Sequence, residues 1–430
     1  MTPREERGLV IAATCRLNRL NDGTWLVPSQ TNRESLTYRV NLEAKTCTCP
    51  DHTEGGNTCK HYFAASIVHK RDVLPDGTVI ETKTITLTEK KVYKQDWPKY
   101  NAAQATEKRR FRVLLHDLCS RLPVRERAGK WPGMKPHHPA DAVFTMAYKV
   151  YCGLRARRFS TDLLEAHEMG FISKPIPGIK ATTFAEDPYY TPILKELVGY
   201  SARPLRSVEK DFAIDSSGFG STLYERWYDQ KYGVTRTRCV WVKTHIASGV
   251  KTNVVTAVRI LDKDAHDCPQ FIPLVKETKK HFEIGEISAD KAYASLDNFE
   301  EVAACGGQAF IAFKSNATGA IGGMFEKAFH YFQFNQAEYM EHYHKRSNIE
   351  STFSAVKRKF GANVVSKNPV AMTNEVLCKI ICHNLTCLIQ EQEHLGIVPV
   401  FWKDEEQAEQ AEPDGERTIL SLVRPETIGD

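Results

Sequence analysis

Three acids in the second half of the chain stand where a hard cation could be held. Asp215 closes the apolar run Phe212-Ala213-Ile214, and Asp290 follows Ile287-Ser288-Ala289. Both runs read as short buried strands. A carboxylate at a strand end points out of the sheet edge, where ligands collect. Glu350 lies in a helical pattern over residues 343–360 that stops before Gly361, a suitable C-terminal glycine. Two strands and a helix would then supply three oxygen donors, the kind magnesium prefers. Two such ions about 4 Å apart can activate an attacking oxygen and stabilise a leaving one in phosphoryl chemistry. Each acid also has a plainer reading. A strand-terminal Asp commonly caps a turn or helix, and Ser347-Asn348-Ile349-Glu350 matches a capping box.

Tyr343, Arg346, Glu350 and Lys357 are spaced by three, four and seven residues. At about 100° per residue they fall along one helical face. An arginine one turn before the glutamate and a lysine two turns after it could hold a phosphate backbone on both sides of a reacting phosphorus. The same charges would also suit a salt-bridged solvent face.

A second constellation lies near the start. Cys47-Thr48-Cys49 is followed by nine residues and Cys59-Lys60-His61, a C-x-C-x9-C-x-H pattern. Four soft or borderline ligands suit a closed tetrahedral zinc site, and turn chemistry flanks each pair. The other nine of the twelve cysteines are scattered and read as small buried hydrophobes. Cys378, Cys382, His383 and Cys387 share an apolar helix and read as core packing, not metal ligands.

The spacing Y-x2-R-x3-E-x6-K at Tyr343, Arg346, Glu350 and Lys357 resembles the signature of a large group of bacterial insertion-sequence transposases. The surroundings of the three acids (FAIDSSGF, ISADKAY and YHKRSNIESTFSAVKRKFG) fit the same group over residues 206–392. The resemblance implies a ribonuclease-H-like α/β fold in which Asp215, Asp290 and Glu350 bind two magnesium ions, with manganese as a substitute. It further implies that Tyr343, Arg346 and Lys357 contact DNA. The interval from Asp290 to Glu350 is 60 residues and has no tryptophan. It is too short for the β-rich insertion of hairpin-forming relatives, so the cleavage intermediate stays open. The cysteine–histidine pattern resembles the SWIM zinc finger over residues 34–72, implying one structural zinc on Cys47, Cys49, Cys59 and His61. Such fingers are thought to bind DNA or protein.

Four segments would position these groups. Residues 1–90 form the zinc-finger region, with short strands at 24–27, 36–40 and 79–87. Residues 91–205 read as a helical DNA-binding region, with helices at 96–118, 140–154 and 161–169. It carries two basic clusters: Lys108, Arg109, Arg110 and Arg112, then Arg155, Arg157 and Arg158. Residues 206–395 form the catalytic domain, with strands at 211–215, 237–244, 253–261, 286–289 and 309–313. Helices are expected from Asp267, as N-cap, to residue 282, over 343–360, and over 373–390. Residues 396–430 form an acidic tail with the composition of a disordered segment.

The formal net charge is +5, but from Lys403 onward nine acids face three bases, which leaves the remainder at +11. A basic body favours polyanionic partners. No run of about 18 apolar residues occurs, which argues against a membrane span, and the start lacks a secretory plan. The expectation is a cytoplasmic, nucleoid-associated DNA transposase that binds double-stranded element ends and target DNA as a homodimer. Two alternatives stay open: a catalytically silent DNA-binding regulator derived from a transposase, and a nuclease on the same fold.

Overall fold

The computed structural model describes residues 2–29, 37–56, 58–73, 96–125, 136–221, 241–262 and 264–402. The strand expected at 79–87, the start of the one at 237–244 and the tail from residue 403 lie outside them. The chain divides into two compact units, residues 1–94 and 95–430.

In the first unit, helix α1 (Pro3–Thr14) opens with a capping box. Thr2 Oγ1 accepts the Glu5 amide at 3.3 Å, and Glu5 Oε2 accepts the Thr2 amide at 2.7 Å. An antiparallel meander follows: β1 (Asn18–Arg19), β2 (Trp25–Pro28), β3 (Thr37–Asn41) and β4 (Thr46–Cys47). A single turn, α2 (Pro50–Thr53), precedes α3 (Lys60–Val73). Trp25, Val27 and Val40 from the sheet join Ile11 of α1 and Ala64, Ala65 and Val68 of α3 in a small core. At Gly8 a Cβ would stand 2.6 Å from Phe63 Cβ, so glycine lets α1 and α3 close on each other.

The second unit starts with α4 (Trp97–Cys119), capped by Asp96, which accepts the Lys99 amide at 3.3 Å. It continues with α5 (Pro139–Cys152), α6 (Ala156–Glu168), α7 (Lys180–Ala185) and α8 (Tyr190–Ala202). Then come β5 (Asp211–Gly220), β6 (Trp241–Gly249), β7 (Val255–Asp262), α9 (Phe271–Lys279), β8 (Glu286–Ala289), α10 (Leu296–Ala304) and β9 (Gln308–Ile311). The chain goes on through α11 (Gly323–Phe334), α12 (Gln336–Tyr343), α13 (Asn348–Phe360) and α14 (Pro369–Leu395).

The five strands lie in the order β7-β6-β5-β8-β9. The β7–β6 and β6–β5 pairs are antiparallel; β5–β8 and β8–β9 are parallel. Helices and sheet share one core, which includes Leu115, Phe144, Leu194, Ile214 and Leu385. Asn384 of α14 ties it together. Its Oδ1 accepts the Val255 amide at 2.8 Å, and its Nδ2 donates to the Val255 carbonyl at 2.7 Å and to Ser201 Oγ at 2.9 Å.

Several expected boundaries shift. Strand β5 does not stop at Asp215 but continues through Gly220, because residues 216–220 keep pairing with 241–245 of β6. Strand β6 runs to Gly249, and the reversal before β7 falls at 250–254, where Asn253 takes φ +59°. The continuous helix expected over 343–360 is broken: α12 ends at Tyr343, a 3-10 turn spans His344–Ser347, and α13 follows. The helix expected from Asp267 is instead a 3-10 turn, Cys268–Gln270, leading into α9, and Asp267 makes no side-chain cap.

Candidate active site and metal centre

The last parallel pair between β5 and β8 is Ile214 with Ala289. Asp215 and Asp290, one residue on in each strand, therefore leave the paired region at the same level. Asp215 Oδ1 accepts its neighbour Ser216's amide at 2.8 Å, and Oδ2 accepts Arg346 Nη1 at 2.7 Å. The other arm of the same guanidinium, Nη2, reaches Glu350 Oε1 at 3.4 Å. Tyr343 also engages Arg346. Burial pushes the Asp215 carboxyl above the usual range, and the nearby charges of Asp290 and Asp267 act in the same sense; the Ser216 amide and Arg346 oppose them.

The plainer roles for two of the acids are not taken. Asp290 precedes the 3-10 turn Lys291–Tyr293 without a side-chain capping bond. Ser347 has helical backbone angles (φ −58°, ψ −21°), and its hydroxyl donates back to the His344 carbonyl at 2.9 Å, so no capping box forms around Glu350. The Glu350 side chain is 68% exposed. On the same helix, Lys357 Nζ donates to Ser217 Oγ at 2.7 Å and lies 5.3 Å from the centre of the Phe219 ring. Asp215, Ser216, Ser217, Glu350, Phe353 and Lys357 line one open groove. Asp290 is not in that lining and stands beside Asp215 at the strand ends.

The donors are all carboxylate oxygens, which fits a hard divalent cation. Asp215, Asp290 and Glu350 could hold such an ion, but among the described residues they are not a group with ligand atoms within 4.8 Å of one another.

Two residues beside this site, Lys243 and His245, carried no signal in the sequence, and a third, Asp267, reads there only as a helix cap. Asp267 Oδ1 lies 2.7 Å from Lys243 Nζ, 3.3 Å from Ser216 Oγ and 3.6 Å from His245 Nδ1. Lys243 and His245 look like ordinary strand residues in one dimension, and only the sheet brings them to Asp267.

The basic clusters divide. Lys108, Arg110 and Arg112 pair with Asp162, Glu393 and Glu165. Arg109, Arg155, Arg157 and Arg158 are exposed.

In the first unit, Cys47, Cys49, Cys59 and His61 are buried, and their ligand atoms lie within 4.8 Å of one another. Cys47 ends β4, Cys49 precedes α2, and Cys59 and His61 open α3. Backbone amides of Cys49, His52 and Tyr62 point at the sulfurs of Cys47, Cys49 and Cys59 respectively. Hydrogen bonding from Cys47 lowers the Cys59 thiol well below its ordinary value, while Cys47 is pushed up by that same contact. Both ring nitrogens of His61 are buried without a hydrogen-bond partner. Three sulfurs and one such nitrogen fit a tetrahedral zinc ion.

Among the described residues, no helix is long and apolar enough to cross a membrane. No curated protein matches the chain. Residues 206–385, the stretch that holds the whole five-stranded sheet and α13, match the family model described as a transposase DDE domain, which supports a transposase of the DDE kind.

Proposed function

We propose that this protein is a DNA transposase that binds the ends of a mobile element, cuts there, and joins the freed ends to target DNA. The observation that supports the proposal is the pairing of the strands that lead to Asp215 and Asp290, with Arg346 linking Asp215 to Glu350. The strand order, three antiparallel strands continued by two parallel ones, supports a ribonuclease-H-like core.

In this reading Asp215, Asp290 and Glu350 are the ligands of two magnesium ions, or manganese in their place. Such ions, when bound, supply activation of the attacking oxygen and charge stabilisation of the leaving one. The reaction has two steps. Water attacks the phosphodiester at the element end and releases a 3′-hydroxyl. That hydroxyl then attacks a phosphodiester of the target, forming a new ester and releasing a target 3′-hydroxyl. Arg346 and Lys357, flanking Glu350, hold phosphates on either side of the reacting phosphorus. Tyr343 helps place the DNA.

The remaining parts have supporting roles. Residues 1–90 form a SWIM-type finger whose zinc, on Cys47, Cys49, Cys59 and His61, fixes the local fold. The exposed Arg155, Arg157 and Arg158 of the helical region at 91–205 contact phosphates of the element ends. The working form on DNA is a homodimer, one copy for each end, acting in the cytoplasm at the nucleoid.

The test uses purified protein, magnesium, a duplex carrying the DNA ends that flank the gene, and a supercoiled target plasmid. Joined product supports the proposal. Cleavage without joining would make the protein a nuclease on this fold. Binding without reaction in either magnesium or manganese would make it a silent DNA-binding protein.

A further inference from the structure

Asp267 occupies the position from which a residue usually caps a helix, yet it makes no such bond. Its Oδ1 gathers Lys243 Nζ at 2.7 Å and Ser216 Oγ at 3.3 Å, with His245 Nδ1 at 3.6 Å. Lys243 and His245 are two apart on β6 and so project to one face of the sheet. Ser216 is the register partner of His245 and directly follows Asp215. His245 is fully buried, and its Nδ1 lies 3.4 Å from the Tyr293 hydroxyl. Tyr293 ends the 3-10 turn that follows Asp290, and its amide donates to the Asp290 carbonyl at 2.9 Å.

One carboxylate therefore stands at both catalytic strand ends. It accepts the hydroxyl of the residue after Asp215, and His245 Nδ1, the atom that meets the Tyr293 hydroxyl of the turn after Asp290, packs 3.6 Å from it without a hydrogen bond. We propose that Asp267 is a positioning residue, which sets Asp215 and Asp290 relative to each other for divalent-metal binding without itself touching the metal. The Lys243 ammonium, 2.7 Å from Oδ1, already supplies the cation that this oxygen faces. A metal ion at the same oxygen would meet like-charge repulsion. The proposal rests on the reading of Asp215 and Asp290 as metal ligands.

The test is calorimetric titration of the full zinc-loaded chain with manganese, beside the manganese dependence of DNA cleavage. Asp267→Asn keeps the side-chain size and an acceptor for Ser216 but removes the charge facing Lys243. Ser216→Ala cuts the link to β5 and leaves the Asp267–Lys243 pair. Both variants are expected to bind manganese about tenfold to a hundredfold more weakly. The number of ions per chain should be unchanged, and cleavage should recover at raised manganese.

Unchanged affinity in a folded Asp267→Asn protein would overturn the proposal, as would the loss of one ion per chain, which would make Asp267 a ligand. If Asp267→Asn does not fold, Ser216→Ala decides by the same criteria. Asp290→Asn separates the two levels. If it removes manganese binding while Asp267→Asn does not weaken it, only the positioning role fails. If the wild-type chain binds no manganese, the metal-site reading and the positioning role fall together.

Discussion

Lys345 and Arg346 are neighbours in sequence but hold carboxylates four residues apart on one strand. Lys345 Nζ donates to Asp211 Oδ2 at 2.9 Å and to Glu286 Oε2 at 2.7 Å, at the starts of β5 and β8, which pair with each other. Arg346 Nη1 donates to Asp215 Oδ2 at 2.7 Å, beyond the last β5–β8 pair. The 3-10 turn His344–Ser347 is thereby fastened across the two strands that carry the aspartates. Its position fixes where Glu350, one turn further on, stands.

This makes Arg346 more than a surface cation. A lysine there offers one point charge and cannot reach Asp215 and Glu350 with separate arms. Arg346→Lys is expected to lower strand cleavage by about tenfold to a hundredfold. Because the pair is partly exposed, it should shift stability by less than about 1 kcal/mol. Cleavage rates set beside urea unfolding would show it, and wild-type rates in the variant would remove Arg346 from the account.

The cysteine–histidine cluster predicts one zinc per chain. Cys59→Ser should abolish zinc retention, measured by metal analysis of purified protein. Because metal binding is folding energy in a domain of this size, limited proteolysis should then open the chain within residues 1–94. A zinc-free protein as resistant there as wild type would contradict the role.

Acid should destabilise the second unit through His383. This histidine is buried in α14, its Nε2 donates to the Asn253 carbonyl at 2.9 Å, and burial lowers it from the ordinary 6.5 to about 4. The folded chain keeps the ring neutral, whereas the unfolded chain protonates it first. The stability linked to this group is thus full above about pH 6.5 and is lost as pH falls toward 4. The loss is on the order of 3 kcal/mol for the group. Unfolding free energies of wild type and His383→Gln across that window should converge toward acid, and parallel curves would contradict it.

Lys379 holds the far end of α13. Its side chain is 3% exposed, and Nζ donates to the Gly361 and Asn363 carbonyls at 3.0 and 2.7 Å. Gly361, at φ +90°, is where α13 ends. Nζ also lies 3.5 Å from Glu375 Oε1. Lys379→Met leaves two carbonyls and a carboxylate without their cation and should cost about 2–4 kcal/mol. Denaturant unfolding checks this, and a change below about 0.5 kcal/mol would contradict it.

The parts of the molecule differed in how far their sequence revealed them. Cys47, Cys49, Cys59 and His61 lie within a short stretch bounded by tight turns, so their spacing alone points to one cluster. The apolar run of β8 predicts its observed bounds, Glu286–Ala289. Strand β5 extends five residues beyond its apolar run, because Ser216, Ser217 and Gly218 break the run while their backbone still pairs with β6. The helix over 343–360 looks continuous because no proline or glycine falls within it, and a 3-10 turn needs neither. The local sequence of Asp267 reads as a helix cap. Its actual partners lie on β5 and β6, up to 51 residues away, and only the sheet register reveals them.

The most direct test compares wild type with Glu350→Gln on DNA carrying the flanking ends, in magnesium. Glu350 is largely exposed and makes no capping bond, so the amide should leave folding and DNA binding intact. The account predicts that wild type nicks the end and joins it to a target, while the variant binds the same DNA and loses both steps by about a hundredfold or more. A variant that cuts and joins at the wild-type rate would contradict the three-carboxylate site.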